Sequence, residues 1–368
     1  MDWYEIKGID RIDSPSVVLY QEHLNHNLEK MLEMVTNDVS KLMPHIKTNK
    51  MPKVIQKMIS LGVKNFKAST IAEAEMAARE GASSVLIAHQ LVGPKIQRFA
   101  ELCIQFPNTE FTTIVDNSFT LNKLHNEAIN KNITIGFYID INNGMNRSGI
   151  EISPKLDKLV IEIKEYNNLF FKGLHVYDGH LRDSNFATRK GQIDKGFNSV
   201  NSLFKKLKLN NTELKMISGG TPSFTTHLSN DDRICSPGTC VLWDWGYSKI
   251  LGEQEFKFAA LLITRVISKP KMGIITIDLG HKAVSAENSI DKRVRFLNIS
   301  NYELLSQSEE HGVLKVEAWE KIQIGDVIYG IPYHICPTIN LYDSVSVIHD
   351  RKKIADWPIT ARQRKITI

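Results

Sequence analysis

The sequence predicts an α/β protein, a (β/α)8 barrel followed by a mostly antiparallel β domain, and three observations predict it. From about residue 15 to 245, short β-branched runs alternate with longer stretches whose apolar residues fall at helical spacing, the pattern of repeated βα units. A parallel array of this length favours a closed barrel over an open doubly wound sheet. After Tyr247 the texture changes to short β-rich segments with turn signals and almost no helical period.

In chain order, VVLY (17–20), SVLIA (84–88), FTTIV (111–115), ITIGFYIDI (133–141), FKGLHVY (171–177) and LKMIS (214–218) read as strands. Between them, HLNHNLEKMLEMV, IAEAEMAAREG, SFTLNKLHNEAIN, PKLDKLVIEIKEYN and GFNSVNSLFKKLKL read as amphipathic helices, several preceded by Ser, Thr or Asp caps. FKFAALLITRVISKP, GIITIDLG, HGVLKVEAW, DVIYGIPY and SVSVIHD then supply the strands of the second domain. The expected boundaries are 15–247 for the barrel and 248–368, with 1–14, for the β domain.

Composition narrows the function. With 42% apolar and 24% charged residues, the 368-residue chain can bury a large core and is not a disordered or low-complexity protein. The net charge of +5 is dispersed. Lys205–Lys208 and Arg351–Lys353 are short basic stretches without interleaved aromatic residues, so a nucleic-acid partner is not expected. No run of eighteen apolar residues suggests a membrane span, and MDWYEIKGID lacks a secretory pattern, so a cytoplasmic location is expected. Cys103, Cys235, Cys240 and Cys336 show neither CxxC spacing nor the density of a disulfide framework, which suits a reducing compartment.

Several groups of residues could carry chemistry. LMPHIKTNKMPKV places Lys47 at the end of an apolar strand, where barrels present catalytic groups; with His45 and Lys50 beside it, the amine could serve as a nucleophile, or the segment could be a cationic surface loop. DINNGMNRSGI forms a tight turn that would aim Arg147 over the barrel mouth, unless that arginine is simply solvated. MISGGTPSF and RICSPGTCV are glycine turns at strand ends. Backbone N–H groups freed by Gly219, Gly220 and Gly238, with the Ser218, Thr221 and Thr239 hydroxyls, would make a phosphate cradle, in the part of a barrel where such sites commonly sit.

YGIPYHICPTIN is the fourth. His334 and Cys336 are two residues apart, so on a strand they share a face, and imidazole with thiolate suits a divalent metal, zinc first. A packed histidine beside a small buried thiol would look the same. HVYDGHLRD places Tyr177 and His180 just past another barrel strand, where Tyr177 could contact a cofactor and His180 could take a proton from a substrate hydroxyl. SEEHG (308–312) is either a surface turn or a cleft-lining one.

Taken together, PHIKTNK, TIAEAE (70–75), NGMNRSG, SGGTP, SPGT, SEEHG and PYHICPTIN occur in an order that resembles the D-threonine aldolases and eukaryotic-type D-serine dehydratases, whose fold is similar to alanine racemase. The resemblance implies that Lys47 holds pyridoxal 5'-phosphate as a Schiff base, that Arg147 faces the pyridine nitrogen and that Tyr177 contacts the cofactor. It further implies that Ser218, Gly219, Gly220, Thr221, Gly238 and Thr239 hold the phosphate, and that His334 and Cys336 ligate zinc or manganese. A homodimer acting on a small D-amino acid is implied as well. The expected reaction is that of a metal-assisted lyase, D-threonine giving glycine and acetaldehyde. D-serine dehydration to pyruvate and ammonia is the alternative, favoured by a cysteine at position 336, and an amino-acid racemase is the next.

Overall fold

A computed structural model describes residues 2–368. The chain divides into two compact units, one made of the chain up to Met31 with Thr239–Arg362, the other of Leu32–Gly238 with Gln363–Ile368. This differs from the expected 15–247 and 248–368. The first strand, β1 (Ser16–Tyr20), is not a barrel strand: it pairs antiparallel with Ala260–Lys271 and parallel with Ser344–His349. VVLY is buried throughout, and a strand covered on both faces reads as the same apolar run in a barrel or at the centre of a β domain. Helix α1 (Gln21–Met34) follows it, and the boundary between the units falls within this helix.

The Leu32–Gly238 unit is the barrel. Its seven parallel strands, β2 (Asn65–Ala68), β3 (Ser84–Ile87), β4 (Glu110–Val115), β5 (Ile135–Ile141), β6 (Leu169–Val176), β7 (Lys215–Ser218) and β8 (Arg233–Cys235), pair in sequence order. Residues 42–46 close the ring. Met43 and His45 donate their N–H groups to the carbonyls of Cys235 and Pro237 on one side (2.8 and 2.9 Å). On the other side Ile46 donates to Lys67 O (2.9 Å), and Pro44 O accepts from Lys67 N (3.0 Å). Pro44 has no N–H of its own, which makes this stave irregular. Met43, Leu86, Ile114, Tyr138 and Ile217, one from each of five staves, pack as a layer of buried side chains with Ala88 and Ile234, so the barrel is filled rather than hollow.

The outer helices follow their caps. Helices α2 (Pro52–Ser60), α4 (Pro94–Gln105) and α6 (Pro154–Glu162) each start on a proline, whose missing N–H is not needed there. Thr70, Asn117 and Asn185 accept N–H bonds at the starts of α3 (Ile71–Arg79), α5 (Ser118–Asn130) and α7 (Phe186–Lys208). Helix α7 begins ten residues ahead of the GFNSV start expected from periodicity, because the Asn185 cap sets its origin and Gly191 and Gly196 only dilute the apolar pattern. The short α8 (Phe224–His227) lies between β7 and β8.

The other unit is a nine-stranded, mostly antiparallel sheet. To β1 it adds β9 (Ala260–Lys271), β10 (Ile274–Ile277), β11 (Val294–Phe296), β12 (Tyr302–Gln307), β13 (Gly312–Val316), β14 (Val327–Pro332), β15 (Ser344–His349) and β16 (Lys352–Pro358). Helix α9 (Trp245–Ile250) precedes β9, and α10 (Ile335–Ile339) follows β14. Tyr4, Ile6, Ile12, Val18, Tyr20, Leu261, Ile263, Tyr329, Ile331 and Ile348 form its core, so the N-terminal segment is built into this sheet. No helix among the described residues is long and apolar enough to cross a membrane.

Candidate active site

Lys47 directly follows the closing stave of the barrel and is half-buried. The loop behind it is rigidly seated. Thr48 and Asn49 are buried, Lys50 takes a left-handed φ of 55° and donates its N–H to Ile46 O, and the Lys50 ammonium sits 2.6 Å from Glu73 Oε1. Glu73, fully buried at the start of α3, also accepts from Ser69 N at 2.6 Å. Lys50 is therefore neutralised, and the cation that crowds Lys47 is a different residue, Lys67 on β2, which the sequence did not single out.

Lys67 is 3% exposed, and its ammonium meets a histidine ring rather than a carboxylate. Its Nζ lies 3.2 Å from His175 Nε2, and His175 Nδ1 lies 2.7 Å from Asp140 Oδ1. Burial would raise the Asp140 carboxyl, but the His175 bond with those from Ser148 and Gln90 outweighs it and holds Asp140 below its usual range. An ionised carboxylate only accepts, so the His175 proton is on Nδ1 and its Nε2 accepts from Lys67. Burial first, then the charge of Lys47, pushes the Lys67 amine down to about 7, against the pull of Asp140 and Asp178. Burial, then Lys67, likewise pushes His175 down, and His45 is driven well down by burial and by both lysines.

Arg147 is exposed, and its charge acts on this cluster through Lys67. Asn142 Oδ1 accepts from Gly144 N and Asn146 N (3.2 and 3.1 Å), which folds the turn back on the end of β5. Gly149, at φ 94°, lies so close to that strand that a Cβ would sit 2.6 Å from Asn142 N. The Arg147 guanidinium stacks 5.0 Å from the Tyr177 ring centre, and Lys67 Nζ lies 5.7 Å from the same ring. Gly179, which sequence reasoning passed over, is required here because any side chain would strike the Tyr177 ring and hydroxyl. His180 is exposed and stands over Gly144, outside the buried relay.

The glycine turn after β7 needs a correction. The amides expected to be free are engaged: Gly219 N donates to Val176 O (3.1 Å), Gly220 N to Ser223 Oγ (3.2 Å) and Gly238 N to Thr221 Oγ1 (3.1 Å). The glycines are there for close approach. A Cβ on Gly219, whose φ is 70°, would lie 2.5 Å from His227 Cδ2; one on Gly220 would lie 3.0 Å from Tyr177 Cε2, and one on Gly238 2.6 Å from His45 O. The Ser218 hydroxyl is buried and has no hydrogen-bond partner among the described residues. An orphaned buried hydroxyl beside a turn stripped of side chains fits a phosphate, bound chiefly by hydroxyls rather than by freed glycine amides.

Behind this turn lies a network absent from the sequence reading. Asp178 accepts from Ser223 Oγ at 2.6 Å and pairs with His227 Nε2 at 2.7 Å; His227 Nδ1 lies 2.5 Å from Arg233 Nη1, and Arg233 Nη2 bonds Asn201 at 3.0 Å. Asp178, His227 and Ser223 are fully buried. Since Ser223 also receives Gly220 N–H, the network holds the turn in place.

In the β unit, His334 and Cys336 do come together, though not on a strand. His334 is the N-cap of α10 and Cys336 its second residue; Pro337, in the first turn, suits a short helix and could not continue the ladder of β14. His334 Nδ1 is bonded to Glu287 Oε1, and Cys336 Sγ lies 3.4 Å from Thr239 Oγ1. Asp244, 1% exposed, caps α9 and accepts from Ile335 N at 3.1 Å, which anchors the backbone between the histidine and the cysteine. Burial would lower His334, but the bond to Cys336, then Glu287 and Asp244, outweigh it and push it up to about 9. Imidazole and thiol meeting at a carboxylate-rich point fit a divalent metal of zinc type. SEEHG is an exposed turn, with Glu309 and Glu310 paired to Lys282.

Comparison with known proteins agrees with this architecture. The alanine racemase N-terminal domain matches residues 20–241, and the putative serine dehydratase domain matches residues 259–348. The chain is 25% identical to a 3-hydroxy-D-aspartate aldolase of Paracoccus denitrificans, over 97% of this chain and 94% of that one. It is 22% identical to a D-threonine aldolase of Arthrobacter sp., over 96% and 93%. Among solved structures, the D-threonine aldolase from Filomicrobium marinum superposes with a TM-score of 0.86 at 25% identity, covering 97% of each chain. The D-threo-3-hydroxyaspartate dehydratase from Delftia sp. shares the fold at a TM-score of 0.77 and 17% identity, over 95% of this chain and 97% of that one. With its barrel closed by the stave that precedes Lys47 and more than half of its length matched, this chain belongs to the alanine racemase N-terminal domain family.

Proposed function

We propose that this chain is a pyridoxal-phosphate-dependent, metal-assisted lyase of D-3-hydroxy amino acids that splits D-threonine into glycine and acetaldehyde. The observation that carries the reading is the barrel mouth, where Lys47 follows the closing stave and Arg147 is stacked on Tyr177. Similarity along nearly the whole chain to aldolases of D-hydroxy amino acids supports it.

In this reading Lys47 Nζ is the amine that holds the cofactor aldehyde, and Arg147 is the residue toward its ring nitrogen. Ser218, Thr221 and Thr239 bring hydroxyls to its phosphate at a turn kept bare by Gly219, Gly220 and Gly238. His334 and Cys336 would hold zinc or manganese. When bound, the cofactor supplies an electron sink conjugated to the substrate nitrogen, and the metal supplies Lewis acidity toward the 3-hydroxyl. A permanently charged Arg147 disfavours protonation of a ring nitrogen placed beside it. Tyr177, pinned by Gly179 and Gly220, keeps Arg147 in place. His180, exposed beside Gly144, would take the hydroxyl proton. The Lys67 amine, seated on the His175–Asp140 pair, is pushed down to about 7 and so changes charge near neutrality. The active form is a homodimer.

Dehydration is the second reading, favoured by the cysteine at position 336 and by the match to the putative serine dehydratase domain. Here Lys47 would instead take the Cα proton while hydroxide departs. Incubating the purified protein with pyridoxal phosphate, zinc or manganese and either D-threonine or D-serine, and identifying products by mass, decides between them. Glycine with acetaldehyde is expected. A 2-oxo acid with ammonia would assign the dehydratase instead, and inversion at Cα without cleavage would overturn both.

Lys67 makes a separate prediction. As pH falls through about 7 it gains a proton and adds a second cation beside Lys47, so kcat/KM is expected to decline on that side. In Lys67→Met this limb should vanish while the alkaline limb stays. An unchanged acid limb would remove Lys67 from the chemistry.

A further inference from the structure

The His334 ring has two nitrogens, and a metal can take only one. Glu287 Oε1 is bonded to Nδ1. A carboxylate oxygen accepts, so Nδ1 carries a proton directed at Glu287, and Nε2 is the nitrogen that can exchange its own proton for a metal. Cys336 is hydrogen-bonded to the same ring, and Asp244 fixes the intervening Ile335 amide, so thiol and imidazole are held at one place. Resting on the metal reading above, we propose that Glu287 is a positioning residue of the metal site: it fixes the tautomer and orientation of His334 so that Nε2, not Nδ1, meets the ion.

The segment that carries Glu287 is held without its carboxylate. Ser285 N donates to Thr338 Oγ1 (3.3 Å), which itself donates to His334 O (2.9 Å), and Tyr342 Oη donates to Ala283 O (2.6 Å). The Glu287 side chain is 48% exposed. Its loss should therefore leave the fold alone and act on the ring it touches. A carboxylate on the far nitrogen of a ligating histidine makes the ring a better donor and removes its rotational freedom; losing such a partner typically weakens metal binding about 10- to 100-fold.

The test is zinc affinity of the purified holoenzyme, read by competition with a chromophoric chelator, for the parent, Glu287→Ala, Glu287→Gln and His334→Ala. Glu287→Ala is expected to bind zinc about 10- to 100-fold more weakly, with its melting temperature and cofactor absorbance unchanged. Glu287→Gln, which keeps an acceptor oxygen, should recover part of the loss. The visible spectrum of the cobalt-loaded protein should keep the same coordination geometry in Glu287→Ala. Zinc bound as tightly by Glu287→Ala as by the parent would overturn the proposal, as would a change of cobalt geometry, which would make Glu287 a ligand. If the parent and His334→Ala bind zinc alike, the metal assignment itself fails and takes this inference with it.

Discussion

Lys47→Ala is expected to abolish the visible absorbance of bound cofactor and to reduce lyase turnover by at least about 10^4-fold, the scale of losing a group that reacts directly. The neighbouring lysines are poorly placed to replace it. Lys50 is drawn away to Glu73 at 2.6 Å, and Lys67 is committed to His175 at the base of the cluster. The side chain of Lys47 is half-buried and supports no packed layer, so the variant should fold, and its melting temperature without cofactor should match that of the parent. Absorbance spectra before and after borohydride reduction, with peptide mapping of the reduced parent, are the measurement. Survival of the same band in the variant, or a reduced adduct mapped to Lys67, would sink the assignment of Lys47.

How much of this was legible in the sequence depends on how local each signal is. The parallel barrel was, because β3 to β7 are β-branched runs separated by helices whose caps and periodicity lie within a few residues. The assignment of the first strand was not: LMPHI, read as the apolar strand ending at Lys47, does close the ring despite its proline, but VVLY, read as a barrel strand as well, instead sits between β9 and β15. Lys47, Arg147 and the HxC pair stood out because turns and short spacings mark them. Lys67 did not, since NFKA is a four-residue strand carrying a charge, which pattern reading takes for a loop, and its partners are far along the chain on β5 and β6. The amides after β7 show a different limit. Glycines announce a tight turn, but whether their N–H groups are free depends on Val176, Ser223 and Thr221, which no spacing rule joins to them.

The second large effect should come from Asp178, a residue with no motif around it that signals its role. Asp178→Ala is expected to destabilise the barrel by about 3–5 kcal/mol, because removing one partner of a buried charged network leaves the others without compensation. Arg233 can only donate, so His227 accepts on Nδ1 and must carry its proton on Nε2, pointed at Asp178. Asp178→Asn should be little better when its amide nitrogen faces that proton, since two donors would then meet. Either change also frees Ser223, which holds the Gly220 amide, so cofactor retention should fall along with stability. The pH dependence gives the sign. Burial alone would raise Asp178, but the His227 ring and the Ser223 hydroxyl outweigh it and leave the carboxyl below its ordinary value. The contribution is then fully present above the unfolded carboxyl value of about 3.9 and is lost as pH falls through the lower folded value. Melting temperatures of parent and Asp178→Ala should differ by a constant amount between about pH 5 and 7 and converge below about pH 4. A gap that stays open in acid would mean that the stabilisation comes from packing around Asp178 rather than from its charge.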